Sequence, residues 1–245
     1  MRKGESEGLA RKGNFLGREM QLAALPAAEE TRQAPSYRRI MRVIAGQYRR
    51  RTLRSLPGRE IRPTADRLRE TLFNVLSAGD PAALAESVWL DLYAGTGAVG
   101  IEALSRGARM VYFVESSKAA ADLIAENLRT LGIRSGFRIV KSETAKALRQ
   151  LEGADVAANF VFLDPPYRLR DEYARTLEAL AGSKMLHAAS VVIAEHEKRF
   201  DPEEAFGQLQ RYRKLGQGDA ALSFYRRSII RPQSPGRSNP ESRYL

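Results

Sequence analysis

Five short apolar runs, Val88–Leu92, Met110–Val114, Phe137–Val140, Phe160–Leu163 and Val191–Ala194, are separated by segments of helical periodicity. Few architectures accept that order. The intervening segments predict helices over Ala98–Arg106, Lys118–Leu131, Thr144–Leu151 and Glu172–Leu180, the first two stopped by Gly107 and Gly132. Strands that alternate with helices form βαβ units, and βαβ units build a parallel sheet. The last two apolar stretches break the pattern. Leu209–Leu215 and Ala220–Arg226 flank Gly216-Gln217-Gly218-Asp219, which reads as an antiparallel hairpin. The expected fold class is therefore α/β, a doubly wound and mostly parallel seven-stranded sheet ending in an antiparallel hairpin. Trp89, inside the first run, is expected in the core.

What precedes this domain differs in charge. Residues 41–69 hold nine arginines and two acids, whereas residues 70–225 carry a small excess of acid. Arginine's planar fork matches phosphate, so a concentrated arginine segment is the footprint of a nucleic-acid binder. Arg42, Arg49, Arg50, Arg51, Arg62, Arg67 and Arg69, with Thr64, are the candidate nucleic-acid contacts. A short hairpin is expected over Arg42–Leu53, then a helix N-capped by Thr64 with Leu68, Leu72, Val75 and Leu76 on one face. Arg67 and Arg69 should then project from its other sides. Residues 41–80 thus read as an Arg-rich lead-in and 81–228 as the catalytic domain, between disordered ends at 1–40 and 229–245.

In an open α/β sheet, ligands bind beyond the carboxyl ends of the strands. Asp91-Leu92-Tyr93-Ala94-Gly95-Thr96-Gly97 ends the first run, Glu115 follows the second, Ser142-Glu143-Thr144 the third, and Asp164-Pro165-Pro166-Tyr167 the fourth. Gly95 and Gly97 let the backbone turn tightly against a ligand. Glu115, 20 residues after Gly95, stands where an acid accepts from a ribose diol. Taken alone, Gly95-x-Gly97-x-x-Gly100 fits a dehydrogenase as well as a methyltransferase.

Asp164-Pro165-Pro166-Tyr167 separates the two, because it resembles the Asp/Asn-Pro-Pro-Tyr/Phe signature of amino-methyltransferases. An exocyclic base amine is a poor nucleophile, its lone pair being delocalised into the ring. The Asp164 carboxylate and the Pro165 carbonyl can accept its two N–H bonds and favour a pyramidal nitrogen. The prolines hold that carbonyl rigidly, and Tyr167 can stack on a flipped base. The chain has no cysteine, which excludes disulfides, thiolate zinc sites and a thiolate nucleophile. Attack on a pyrimidine ring carbon commonly needs that thiolate, so an amine is the consistent target. His187 and His196 lack partners at metal-ligand spacing and read as surface or loop residues, and no metal is expected. Glu195 reads equally as a pocket or a surface residue, and Tyr48 as an RNA-stacking or a packed side chain.

Met41-Arg42-Val43-Ile44-Ala45-Gly46-Gln47-Tyr48-Arg49, Arg62-Pro63-Thr64-Ala65-Asp66-Arg67-Leu68-Arg69-Glu70, Asp91–Gly97 and Asp164–Tyr167 together resemble the bacterial small-subunit ribosomal RNA guanine 2-amino methyltransferases. The similarity runs from Met41 to about Arg227. It implies a Rossmann-like class I fold with S-adenosyl-L-methionine (AdoMet) as methyl donor. It also implies a guanine of 16S rRNA, in an assembled or partly assembled small subunit, as substrate. Asp91, Tyr93, Ala94, Gly95, Gly97, Glu115, Glu143, Thr144 and Asp164 are then cofactor contacts, with Glu143 standing where the family often has Asp or Asn. Asp164, Pro165, Pro166 and Tyr167 form the base site. The expected protein is cytoplasmic and monomeric. An adenine-N6 DNA methyltransferase, a protein-glutamine methyltransferase and a non-catalytic ribosome-assembly factor are the alternatives; an intact site argues against the last. Which nucleotide is modified is left open.

Overall fold

The computed structural model describes residues 41–55 and 63–228, the side chains of 63–65 aside. Arg62 and the side chain of Thr64 lie outside the described residues, as do the two ends expected to be disordered.

Two short strands, β1 (Met41–Arg42) and β2 (Thr52–Leu53), pair antiparallel. Helix α1 (Pro63–Leu76) follows. Thr64 is thus the second helical residue and not the cap; proline's fixed φ suits the first helical position, so the helix starts two residues earlier. Then come β3 (Val88–Leu92), α2 (Ala98–Ser105), β4 (Met110–Val114), α3 (Lys118–Leu131), β5 (Phe137–Val140), α4 (Thr144–Gly153), β6 (Ala158–Leu163) and α5 (Asp171–Gly182). The chain closes with β7 (Leu186–Glu197), β8 (Ala205–Phe206), β9 (Leu209–Gln217) and β10 (Ala220–Arg227).

The main sheet has the order β5-β4-β3-β6-β7-β10-β9-β8. Strands β3 to β7 run parallel, and β10 and β9 form the C-terminal hairpin. The seven expected strands are all present, with the two-residue β8 added at the edge beside β9. Strand β7 is far longer than its apolar run, because β6 pairs with it from Leu186 and β10 as far as Glu197. Successive side chains of a strand alternate faces, so each parallel strand feeds two cores. Trp89, Val111, Phe113, Phe160, Phe162, Val191 and Ile193 meet α1, α2 and α3 on one face. Leu90, Leu92, Val161, Leu163, Val192 and Ala194 meet α4 and α5 on the other. Trp89 is fully buried between Phe73 of α1, with ring centroids 5.2 Å apart, and Phe160 at 4.7 Å. Among the described residues no helix is long and apolar enough to cross a membrane.

The lead-in is bonded to the sheet domain. The Glu102 carboxylate, on α2 and 1% exposed, accepts from the backbone N–H of Ile44 at 2.7 Å and of Ala45 at 2.9 Å, and from Arg106 Nε at 2.8 Å. Gln47 N donates to Ser105 O at 2.8 Å, and a Cβ at Gly46 would lie 1.8 Å from that same oxygen, so only glycine allows the approach. Asn127 of α3 is a junction. Its Oδ1 accepts from Arg54 N at 2.8 Å, and its Nδ2 donates to Thr96 O at 3.0 Å and to Arg54 O at 3.1 Å. Val43, Leu53, Leu68 and Leu72 enter the same core as Trp89, and Tyr48 packs against it half-buried.

Candidate active site

Parity along the strands sorts the acids. Asp91 shares the face of Trp89, Glu115 that of Val111 and Phe113, Asp164 that of Phe160 and Phe162, and Glu195 that of Val191 and Ile193. Four carboxylates therefore leave four neighbouring strands, β4, β3, β6 and β7, at their carboxyl ends and on one face. The chain reverses direction across the sheet between β3 and β6, the switch point where open α/β sheets bind ligands.

The glycine loop closes the β4–β3 half of this edge. Its backbone takes positive φ at Tyr93 (62°), Gly95 (56°) and Gly97 (77°). The Glu115 carboxylate accepts from Gly95 N at 2.9 Å and from Ser117 N at 2.8 Å, holding the loop against the end of β4. Ala94 is buried, and its N–H donates to Val114 O at 3.0 Å. Asp91 is 2% exposed, and its Oδ2 accepts from Gly100 N at 2.9 Å, in the first turn of α2. Burial pushes Asp91 up to about 8 against that hydrogen bond, with Asp164 and Glu115 adding repulsion. Gly100 is glycine for packing, since a Cβ there would lie 2.3 Å from Phe113 Cε1.

Tyr93 is half-buried, with its hydroxyl 2.9 Å from Glu172 Oε2 and 2.9 Å from Thr176 Oγ1 of α5. A tyrosine at positive φ is uncommon, and these two partners hold it there. Beyond β5, Thr144 is buried and Glu143 is the exposed N-cap of α4, making no side-chain capping bond. The Ser142 hydroxyl beside them is buried with no hydrogen-bond partner.

The β6–β7 half carries Asp164-Pro165-Pro166-Tyr167. Asp164 and Tyr167 are half-buried, Pro165 is buried, and Leu169 N donates to Pro166 O at 2.7 Å to close the turn. Tyr173, 1% exposed, donates its hydroxyl to Glu195 O at 2.8 Å and lies 3.5 Å from Pro165 O, joining the two strand ends from beneath. Burial, with the nearby Asp164 charge, raises the Tyr173 phenol far enough that it stays a donor. Leu163 pairs with Ala194, so the next residues, Asp164 and Glu195, stand side by side. Burial and Asp164 raise Glu195 well above the usual carboxylate range, while Arg69 opposes them.

Arg69 does not project to solvent as its helix position suggests. It is 5% exposed and donates through Nη2 to Arg42 O and, at 3.0 Å, to Asp66 Oδ1, while its Nε has no partner. The cause is tertiary: this side of α1 packs over the sheet edge and faces the carboxylates of Asp66, Glu102 and Glu195. Arg42, Arg49, Arg50, Arg51 and Arg67 are exposed, and Arg51 Nη2 donates to Thr130 O at 3.1 Å. His196 is likewise no surface residue. It is fully buried, 2.9 Å from Ser223 Oγ and from Glu197 O, because β10 covers this end of β7. His187 is exposed. Among the described residues no group of His, Cys, Asp and Glu is arranged to hold a metal ion.

Residues 41–226 match the family model described as conserved hypothetical protein 95. The chain is similar to the ribosomal RNA small subunit methyltransferase D of Escherichia coli (strain K12), 33% identical over 76% of this chain and 90% of that one. The enzyme of the same description from Haemophilus influenzae is 34% identical over 68% of this chain and 83% of its own. Among solved structures, a hypothetical protein of Thermus thermophilus superposes with a TM-score of 0.64 at 26% identity, covering 76% of this chain and 98% of that one.

Proposed function

The chain belongs to the family described as conserved hypothetical protein 95, and from that premise, with its similarity to the small-subunit rRNA methyltransferases D, we propose that it transfers a methyl group from AdoMet to the 2-amino group of a guanine in 16S rRNA. The observation that carries this reading is the placement of Asp164-Pro165-Pro166-Tyr167 at the switch point, one strand away from the glycine loop tied to Glu115.

AdoMet fits the residues present. The Asp91–Gly97 loop would hold it by close backbone approach, and Glu115 would accept from its ribose hydroxyls. The unpaired Ser142 hydroxyl, beside Glu143 and Thr144, is a buried polar group that a ligand can satisfy. When bound, AdoMet supplies an electrophilic methyl group on a sulfonium sulfur.

The chain's own residues prepare the acceptor. Asp164 and the Pro165 carbonyl take the two amine hydrogens, which localises the nitrogen lone pair and aims it at the glycine-loop side. The rigid Pro165-Pro166 turn makes that geometry permanent, and such positioning is worth orders of magnitude in rate. As nitrogen gains a carbon it sheds a proton, and Asp164 is the acceptor in place for it. Tyr167 stacks on the base, whose extrusion from the RNA the half-buried Asp164 and Tyr167 require. The exposed arginines Arg42, Arg49, Arg50, Arg51 and Arg67 grip phosphates of the small-subunit particle.

The test is transfer from radiolabelled AdoMet to small-subunit particles from cells lacking this gene, followed by nuclease digestion. Label in 2-methylguanosine is expected. Label in another nucleoside, or in protein alone, would overturn the guanine-amine reading.

A further inference from the structure

We propose that Glu195 is the base-discriminating residue of this site: its carboxyl group, one strand over from Asp164 and on the same face, accepts the N1–H of the guanine whose 2-amino group lies on Asp164. The inference rests on the amino-methyl-transfer reading given above and extends it to a specificity determinant.

Three features carry it. The first is register. Leu163 and Ala194 are partners on adjacent parallel strands, and Asp164 and Glu195 follow them on one face. Neighbouring strands run about 4.8 Å apart, so two carboxylates stand as side-by-side acceptors. Guanine offers a matching pair of side-by-side donors, N1–H and the 2-amino group. Adenine and cytosine present a ring-nitrogen lone pair beside their amine, which a carboxylate at Glu195 would repel. The second feature is rigidity. Tyr173 holds the Glu195 carbonyl at 2.8 Å and sits 3.5 Å from the Pro165 carbonyl, so the two acceptor strands are tied together.

The third is charge. Two adjacent carboxylates at a half-buried edge resist joint ionisation, as the raised Glu195 pKa reflects. The Arg69 guanidinium, 5% exposed on α1, lies in the field of Glu195 and favours its charged form. Its Nε is buried without a hydrogen-bond partner. The same guanidinium donates to Arg42 O and so anchors the start of the arginine-rich lead-in.

The experiment uses full-length protein and small-subunit particles reconstituted with 2,6-diaminopurine in place of the methylated guanine. Diaminopurine keeps the 2-amino group but carries no hydrogen on N1. Wild type is expected to prefer guanine by roughly tenfold to a hundredfold in kcat/KM, the range of one well-placed base contact. Glu195→Gln, which can donate to the bare N1, is expected to reduce that ratio to near one, and Glu195→Asp to restore part of it. AdoMet affinity, measured on each variant, verifies that the fold is intact. An unchanged guanine preference in Glu195→Gln would overturn this assignment alone. Absence of transfer to guanine by wild type would overturn the amino-methyl-transfer reading, and this inference with it.

Discussion

The Glu102 carboxylate, inside α2 and 1% exposed, accepts the backbone N–H of Ile44 from 2.7 Å. A side chain of the sheet domain thereby holds the backbone of the arginine-rich lead-in, with Ala45 N and Arg106 Nε completing its coordination. Glu102→Ala leaves two backbone donors and a largely buried guanidinium without their acceptor. The expected cost is about 3 kcal/mol of stability. At a temperature where the variant is folded, affinity for small-subunit particles should drop while AdoMet affinity holds. Thermal unfolding and the two binding titrations check this, and equal loss of both affinities would show that the clamp serves the cofactor loop instead.

Asp91 makes stability depend on pH. Burial raises it to about 8, above the ordinary carboxylate value of 3.8. The folded state therefore holds the proton more tightly than the unfolded chain does. That contribution is complete below the ordinary value and is lost as pH rises through about 8, at up to roughly 1.4 kcal/mol per pH unit. Asp91→Asn cannot titrate. The melting temperature of wild type is expected to fall relative to that variant as pH rises from about 4 to about 8, and to run parallel to it above that. Parallel curves across the lower range would show that Asp91 is already ionised in the fold.

Arg49, Arg50 and Arg51 are exposed on the turn between β1 and β2. Replacing all three by Ala should weaken particle binding and reduce the salt slope by about two to three, since each phosphate neutralised adds roughly 0.7–0.9 to it. An unchanged slope would take these arginines off the phosphate backbone. Arg51 should contribute least of the three, since it already donates to Thr130 O.

Gly100 sits where a methyl group would press on Phe113 Cε1 at 2.3 Å and Val111 Cγ1 at 2.7 Å. Gly100→Ala should cost about 1–3 kcal/mol, through overpacking. Differential scanning calorimetry reads it, and a neutral result would mean that α2 can lift from β4 freely.

The strand-end motifs are legible in the sequence because they are local. Asp91, Glu115 and Asp164 each end an apolar run, and a run's carboxyl end needs no partner to be seen. Residues placed by distant packing are not. Arg69 reads as a solvent-facing helix residue until α1 is laid over the sheet edge. His196 lies beyond the apolar run Val191–Ala194 and is buried only because β10 continues to pair with β7. Glu195 is ambiguous in the sequence for the same reason, and its neighbour Asp164 is apparent only from the register of β6 and β7. The eighth strand, Ala205–Phe206, is too short to carry any periodicity.

The most direct measurement compares Asp164→Ala with wild type for AdoMet affinity and for methyl transfer to small-subunit particles. Asp164 is one among the expected cofactor contacts, and the glycine loop and Glu115 on β3 and β4 keep theirs, so cofactor affinity should stay within about a few-fold. Transfer should fall by about 10²–10⁴, the usual contribution of a positioned proton acceptor. Transfer at the wild-type rate with AdoMet bound would contradict the assignment of Asp164 to the amine, and with it the reading of this strand end as the site of chemistry.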